Sequence, residues 1–159
     1  MHILFITEFF SSLKSPVFSG GVETRCFYAA CHLSKTHNIT VFSRRRKGEL
    51  SQEKKGNMII YRFGKPVSST KASISSLFSR TLFTFSCIRY GFKTDCSLVE
   101  GSNYVTFLPA IVISLVKNVP AVAWYPDVLV GKWVSQFGTV IGLIGEVAER
   151  LFLRFPWKK

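Results

Sequence analysis

Short apolar runs alternate with helical patterns along most of this chain, and this alternation limits the possible folds more than any other feature. The runs cover residues 3–7, 39–43, 58–63, 96–100 and 121–125. Apolar residues at helical spacing follow four of them, at residues 21–35, 72–91, 104–117 and 138–155. Strands that are apolar on both faces indicate a parallel sheet with helices on each side. The 159 residues are therefore predicted to form one α/β domain, residues 1–159, with a Rossmann-like, doubly wound, mostly parallel sheet.

A pair of glycines follows the first predicted strand and opens the first predicted helix. Gly20 and Gly21 let a ligand approach the backbone, and the unpaired N–H groups and the helix dipole favour negative charge there. The sequence therefore predicts a site for a phosphate, a sugar-phosphate or a carboxylate, with Glu23 and Arg25 beside it. The spacing matches neither GxGxxG nor a P-loop. The alternatives are a simple tight turn for the glycines, complementarity to the helix dipole for Glu23, and an exposed helical position for Arg25.

Polar residues follow two later strands of the predicted sheet. Glu100, Ser102 and Asn103 come after the fourth strand, and Tyr125 and Asp127 come after the fifth. Ligands on doubly wound sheets bind at the carboxyl ends of the strands, near the point where the strand order reverses. We therefore expect these residues to contact the same ligand as the glycine pair. An exposed strand end is the alternative for Glu100, and Ser102 and Asn103 also fit as caps of the next helix.

Basic residues outnumber acidic ones by 21 to 9, which gives a formal net charge of +12. A field of that sign attracts polyanions, anionic membrane surfaces and phosphorylated substrates. Residues 44–56 are predicted to form a basic, solvated loop. No nucleic-acid recognition motif is present, so nucleic acid is not an expected partner. The four cysteines and three histidines lack zinc-ligand spacing, which predicts free, mostly buried thiols and no metal site.

Two segments bear on membrane contact. Residues 104–125 are long enough to span a bilayer, but Asn118 and Pro120 favour a helix followed by a strand. Residues 72–93 mix phenylalanines with basic side chains, as a segment does at the interface of an anionic bilayer, and ordinary docking of the helix on the sheet is the alternative. No signal peptide is visible. A cytoplasmic protein is therefore expected, peripheral on the cytoplasmic membrane face if residues 72–93 bind it.

The order of these motifs resembles the N-terminal domain of family 4 glycosyltransferases, which have the two-domain GT-B fold. The resemblance covers essentially the whole chain and is carried by residues 3–7, 20–23, 38–42, 119–125 and 142–150. It implies transfer of a sugar from a UDP- or GDP-linked nucleotide-sugar, with retention of configuration and with no metal or other cofactor. In that family the N-terminal domain mainly holds the acceptor, and its glycine loop lies against the donor diphosphate.

The resemblance also implies that part of the enzyme lies outside this chain. The C-terminal domain of the family holds the nucleotide and carries a pair of glutamates, and the active site is the cleft between the two domains. The chain is therefore expected to be inactive alone and to have the C-terminal domain as its partner. Without that domain, the apolar surface that the domain would cover is expected to cause self-association. The alternative is a non-catalytic, Rossmann-like module that binds a nucleotide or phosphate by itself.

Asp127 is the catalytic candidate that the resemblance implies. Family members often carry a histidine immediately before this aspartate, and Pro126 occupies that position here. Asp127 would orient a hydroxyl group or act as a base, and a helix N-cap is its alternative role. The acceptor is expected to be lipid-linked or phosphorylated, which would give the positive charge of the chain a function.

Overall fold

The computed structural model describes residues 1–67 and 74–158. The strands are β1 (His2–Ile6), β2 (Asn38–Arg46), β3 (Gln52–Lys55), β4 (Met58–Val67), β5 (Leu98–Gly101) and β6 (Ala121–Ala123). The helices are α1 (Gly21–Leu33), α2 (Ile74–Gly91), α3 (Tyr104–Lys117), α4 (Trp133–Phe137) and α5 (Thr139–Arg154). The strand order is β3-β4-β2-β1-β5-β6, and every neighbouring pair is parallel except β3 and β4. The predicted α/β fold with a doubly wound, mostly parallel sheet is confirmed.

Helices cover both faces of the sheet, and β1 lies at its centre. Residues 3–6 of β1 are all buried, although successive side chains of a strand point to opposite faces. Ile3 and Phe5 pack beneath α1, whereas Leu4 and Ile6 pack beneath α2 and α3. The sheet therefore has a separate apolar core on each face, which is why its central strand contains almost no polar residue.

The apolar stretch at residues 104–125 is a helix followed by a strand, as the sequence predicts. α3 ends at Lys117, Asn118 adopts a left-handed backbone with φ of 52°, and β6 begins at Ala121. Asn tolerates this conformation better than most residues, so Asn118 ends the helix. Within the described residues, no helix has both the length and the apolar character needed to cross a bilayer.

The basic segment at residues 44–56 is not the solvated loop that the sequence predicts. β2 continues through the three arginines, and β3 pairs antiparallel with β4. Arg44 is buried and donates to Glu8 at 2.5 Å, and the fully buried side chain of Arg62 pairs with Glu53 at 2.8 Å. Arginines are rarely buried without a charged partner. The paired carboxylates therefore allow this segment to join the sheet.

α5 presents most of its apolar side chains to solvent. Helical spacing places Ile141, Ile144 and Leu151 on one stripe, and such stripes normally dock on a core. In the structure these three side chains are 51%, 67% and 59% exposed. The helix docks instead through Gly142 and Glu149, its two buried residues. α5 therefore does not dock through this stripe, and it leaves an apolar side uncovered.

Glu149 joins α5 to three other parts of the chain. Its Oε1 accepts hydrogen bonds from the Tyr104 hydroxyl at 2.9 Å and the Leu129 backbone N–H at 3.0 Å. Its Oε2 accepts from the Trp133 indole N–H at 2.5 Å. Beside it, a Cβ added to Gly142 would lie 2.5 Å from the backbone of α4, so α4 packs directly against α5 there. A buried polar contact thus holds α4 and α5 on the domain.

The two edge strands of the sheet are both short. β3 exposes Lys54 and Lys55 along the outer edge. β6 is three residues long, and the carbonyl of Ala121 accepts a hydrogen bond from the Lys158 N–H at 2.8 Å. The chain beyond α5 therefore returns to cover part of the second edge.

Candidate functional site

A cavity of about 220 Å³ lies where α1 begins, beside the carboxyl end of β1. β1 pairs with β2 on one side and β5 on the other, so this is the point where the strand order reverses. Four of the residues predicted from sequence line the cavity, namely Gly20, Gly21, Glu23 and Asn103. The other lining residues come from the segment after β1, from the start of α1 and from α2. They are Thr7, Glu8, Phe9, Ser19, Val22 and Arg80.

The glycine pair leaves the first turn of α1 open. Gly20 is the N-cap residue and has an extended backbone with φ of −177°, and neither glycine has a positive φ. A Cβ built on either glycine would meet nothing within 4 Å, and no side chain caps the helix. The backbone conformation therefore does not require glycine at either position. What the missing side chains provide is free space in front of unpaired N–H groups, which is the arrangement that anions prefer.

A basic side chain, Arg80, also lines this cavity. The carboxylate of Glu8 accepts hydrogen bonds from both Arg44, at 2.5 Å, and Arg80, at 2.8 Å. Two guanidinium groups share one carboxylate, so the group carries a net positive charge. Arg80 is partly exposed and lines the cavity. The helix dipole of α1 and this arginine therefore favour a negatively charged ligand in the same space.

Arg80 is a site residue that the sequence analysis missed. It lies within residues 72–93, the segment that mixes phenylalanines with basic side chains. The sequence carries one signal for this role, because Phe83 follows three residues later and so lies on the same side of the helix. In the structure Phe83 is buried, so that side faces the sheet. An arginine on the sheet-facing side of a helix requires a partner inside the protein. That partner is Glu8, at the end of the first strand.

Glu23 has a structural function in this site. Its Oε2 accepts hydrogen bonds from the backbone N–H and the hydroxyl of Ser19, each at 3.0 Å. Arg46 donates to both of its carboxylate oxygens, at 2.7 and 2.6 Å. The side chain is almost fully buried. Glu23 therefore fixes the glycine loop to the end of β2. Complementarity to the helix dipole alone does not describe its role.

Arg25 and Glu100 form an ion pair one turn beyond the glycines. The guanidinium of Arg25 also lies over the ring of Trp124, 5.4 Å from its centroid. Glu100 is buried, so the alternative of an exposed strand end is wrong. Burial raises the pKa of the Glu100 carboxyl above its ordinary value, and the hydrogen bond and charge of Arg25 oppose that rise. The pair holds α1 against the end of β5.

Ser102 lies behind the cavity and does not line it. The side chain is fully buried, and its hydroxyl lies between the Cys26 thiol, which donates to it at 3.0 Å, and Glu100, to which it donates at 3.4 Å. Asn103 does line the cavity and precedes α3 as its N-cap residue. The backbone N–H groups of both residues donate to the hydroxyl of Thr106. The capping role expected for this segment therefore applies, and only Asn103 is placed for ligand contact.

Tyr125 and Asp127 do not line the glycine cavity. The ring of Tyr125 packs 4.4 Å from that of Phe107, and burial, together with the negative charge of Glu149, raises the pKa of the Tyr125 hydroxyl to about 12. Asp127 is exposed, and the next helix, α4, starts six residues later at Trp133. The N-cap alternative for Asp127 is therefore wrong.

A second, larger cavity lies next to the first. Its volume is about 540 Å³, and Ser19 lines both cavities. Its polar lining consists of serine hydroxyls, two basic side chains and one carboxylate, from Ser11, Ser12, Ser15, Ser19, Arg46, Lys47 and Glu49. Hydroxyl and guanidinium groups of this kind bind ligands that are rich in hydroxyls or phosphates.

The cysteines form no disulfide within the described residues. Cys26 and Cys87 are buried and Cys31 and Cys96 are half-buried, so free and mostly buried thiols are confirmed. Burial raises the pKa of the Cys87 thiol well above its ordinary value. Residues 1–67 and 74–158 contain no group of three or more His, Cys, Asp or Glu side chains that could hold a metal ion.

Comparison with known proteins identifies the fold and not the family. No protein-family profile and no curated protein sequence matches this chain. A solved structure of sucrose-phosphate synthase from Thermosynechococcus elongatus superposes on 97% of this chain with a TM-score of 0.62 and 14% sequence identity. A second structure under that name covers 80% of this chain and 64% of its own, with a TM-score of 0.54 and 13% identity.

This chain spans only 40% of the length of the first of these structures. Sucrose-phosphate synthase is a glycosyltransferase of the GT-B fold. The present chain therefore has a glycosyltransferase-like, Rossmann-like α/β fold, with its glycine cavity at the carboxyl end of the central strand.

Proposed function

We propose that this chain is the acceptor-binding, N-terminal domain of a family 4 glycosyltransferase. The enzyme would transfer a sugar from a UDP- or GDP-linked donor to an acceptor, with retention of configuration and without a metal ion. The observation that carries the proposal is the open first turn of α1, which lines the same cavity as Arg80 at the strand-order switch. A donor diphosphate would accept hydrogen bonds from the N–H groups of this turn and would be attracted by the arginine.

The same geometry supports weak donor binding by this chain alone. The glycine cavity supplies an anion site, but none of the aromatic groups that stack on a nucleotide base lines it except Phe9. In the family that the sequence resembles, the second domain holds the nucleotide. The chain by itself would therefore contact the diphosphate, have no catalytic activity, and leave the rest of the donor to that domain.

The adjacent, serine-rich cavity is the place that we propose for the acceptor. It shares Ser19 with the glycine cavity, so an acceptor there would lie next to the donor. Its serines suit sugar hydroxyls, and Arg46 and Lys47 suit a phosphate, such as that of a lipid-linked acceptor. We further propose Asp127 as the residue that orients a substrate hydroxyl or acts as a base, as the resemblance implies. Asp127 follows β6 and lines neither cavity, so this role requires a substrate that extends from the cavities towards the β6 side of the sheet.

The proposal is tested by NMR titration of the ¹⁵N-labelled chain with UDP, GDP, UDP-glucose and GDP-mannose. We expect weak, millimolar-range shifts centred on the amides of Gly20, Gly21 and Asn103 for at least one of these ligands, because the site is only one wall of a cleft. Gly21→Leu should abolish the shifts without unfolding the chain, since a side chain there meets only open space. Arg80→Gln should weaken them, and Lys35→Gln, beyond the far end of α1, is the charge-matched control.

Each outcome of the titration decides between functions. Tight, saturable binding of one nucleotide would contradict the split site and favour a self-contained binding module. Shifts that survive Gly21→Leu would show that the ligand lies elsewhere. An absence of shifts with all four ligands would exclude a binding site for the donor diphosphate on this domain.

A further inference from the structure

The layer formed by α2, α3 and α5 is apolar on its outer side. Phe78, Leu82 and Phe85 recur at helical spacing on α2 and are 68%, 50% and 65% exposed. Leu108 on α3 and Val147 and Leu151 on α5 are also exposed. These six side chains define what we call the outer apolar face. The inner sides of α2 and α3 are accounted for by the core, where they cover β1 and β5.

The three helices that carry the outer apolar face meet at one cavity, and Leu108 belongs to both the face and the cavity. One apolar cavity of about 240 Å³ is lined by Thr84 of α2, Leu108 of α3 and Ala148 of α5. The outer sides of the three helices therefore adjoin one another. Among the described residues, only Met1, Val17, Tyr28 and Leu50 are exposed large apolar side chains outside the part of the chain from Phe78 onward. Soluble monomers seldom expose contiguous apolar surface of this extent unless it binds something.

The charges on this layer are almost all positive. Arg89 and Lys93 continue the exposed side of α2, and Arg150 and Arg154 lie beside the exposed side of α5. Glu146 is the one acid of α5 besides the buried Glu149, and its carboxylate is engaged by Arg150 at 2.7 Å and by the Gly131 N–H.

The same pattern holds for the acids of the whole chain. Seven of the nine carboxylates accept hydrogen bonds or ion pairs from described residues, and these seven are Glu8, Glu23, Glu49, Glu53, Glu100, Glu146 and Glu149. Internal pairing therefore uses most of the negative charge and leaves the excess of basic side chains at the surface.

We propose that the outer apolar face docks on an anionic phospholipid bilayer, with α2 and α5 lying in the plane of the interface. Helices with exposed phenylalanine and leucine flanked by arginine and lysine bind such surfaces by inserting the apolar side chains beneath the phosphate groups. Each basic residue adds attraction to anionic lipid. A second copy of this chain is the less favourable occupant, because it would bring Arg89, Lys93, Arg150 and Arg154 against their own counterparts. The proposal does not depend on sugar transfer.

The proposal is tested by flotation of the purified chain with phosphatidylcholine vesicles that do or do not contain about one third phosphatidylglycerol. We expect binding to the anionic vesicles, little binding to the neutral ones, and release at high salt, because salt screens the headgroup charge. Arg89→Gln combined with Arg154→Gln should weaken binding roughly 25-fold, at about fivefold per charge. Phe85→Ser combined with Leu151→Ser should also weaken it and should not affect folding, since both side chains are exposed.

The matched controls lie on the opposite face of the sheet. Tyr28→Ser and Lys35→Gln change an exposed aromatic and an exposed basic residue on or just beyond α1, and they should leave binding unchanged. Equal loss in the controls and in the outer-face variants would overturn the proposal, and so would binding that is indifferent to anionic lipid. Sedimentation showing a dimer that Phe85→Ser with Leu151→Ser dissociates, without vesicle binding, would assign the face to a second copy instead.

Discussion

Replacing Glu149 by glutamine tests whether one buried carboxylate holds the α4–α5 region on the domain. The substitution keeps the shape of the side chain and replaces one acceptor oxygen by an NH₂ donor. If the amide oxygen faces Tyr104 and Leu129, the NH₂ group faces the indole N–H of Trp133. If the amide is turned round, the NH₂ group faces the Leu129 N–H. Either orientation places two donors against each other.

The size of the effect follows from the three bonds that the carboxylate accepts. A hydrogen bond to a charged group contributes about 1.5–3 kcal/mol, and a buried donor left without a partner costs about 1–3 kcal/mol. Glu149→Gln loses one such bond and weakens the other two, so we expect it to lower the free energy of unfolding by about 3 kcal/mol. For a chain of this length, that corresponds to a fall in Tm of roughly 6–12 °C.

The assay is urea unfolding followed by circular dichroism, with a double-mutant cycle. Trp133→Phe keeps an aromatic ring beside Tyr104 and removes the N–H donor, so it relieves the donor conflict that Glu149→Gln creates. The double variant should therefore be more stable than the sum of the two single changes by about 1–2 kcal/mol. Glu146→Gln, at a half-buried carboxylate whose partner Arg150 is exposed, is the control and should change stability less, because an ion pair with an exposed partner contributes little. An unfolding free energy of the Glu149→Gln variant equal to that of the wild type, or strictly additive effects, would refute the reasoning.

Three further predictions concern burial and close packing. Because burial raises the pKa of the Cys87 thiol well above its ordinary value, a maleimide at pH 8 should label Cys96 in the native chain and label Cys87 only on unfolding, as followed by mass spectrometry. Because burial raises the pKa of Glu100 in the folded state above 4.5, its contribution to stability is full below that pH and falls as pH rises through the folded-state pKa. Glu100→Gln should remove that fall when unfolding free energies at pH 4 and pH 7 are compared, and a wild type that gains stability relative to the variant over this range would contradict it. Gly142→Ala places a Cβ 2.5 Å from the backbone of α4 and should cost about 1–3 kcal/mol in thermal or urea unfolding, whereas Gly20→Ala, which meets only open space, should cost much less.

The sequence was sufficient to predict the elements that have a strong local pattern. The central strand, the helix after Gly20 and Gly21, and the helix-then-strand arrangement around Asn118 all follow from apolar periodicity and turn residues. The position of the glycine pair at the strand-order switch followed from the parallel sheet that this periodicity implies. Local spacing and topology thus located the cavity.

What the sequence did not predict depends on contacts between distant residues. β3 and the end of β2 belong to the sheet because carboxylates such as Glu53 neutralise buried arginines such as Arg62, and hydrophobic periodicity does not record such pairs. Arg80 was missed for the same reason, since its partner Glu8 lies 72 positions away in the chain. The catalytic role of Asp127 stays a prediction, because Asp127 lies in the loop after β6 and does not line the glycine cavity.

The two edge strands of the sheet are short and protected, and this determines how the protein can self-associate. β3 presents lysines along its outer side, and β6 is brief and partly covered by the backbone at Lys158. Positive charge and lack of length both oppose the addition of another chain as a further strand. Any assembly at high concentration should therefore proceed through side-chain contacts between helices, giving reversible clusters that retain the native circular dichroism spectrum. Amyloid-like fibres that bind thioflavin should appear only after the domain has unfolded.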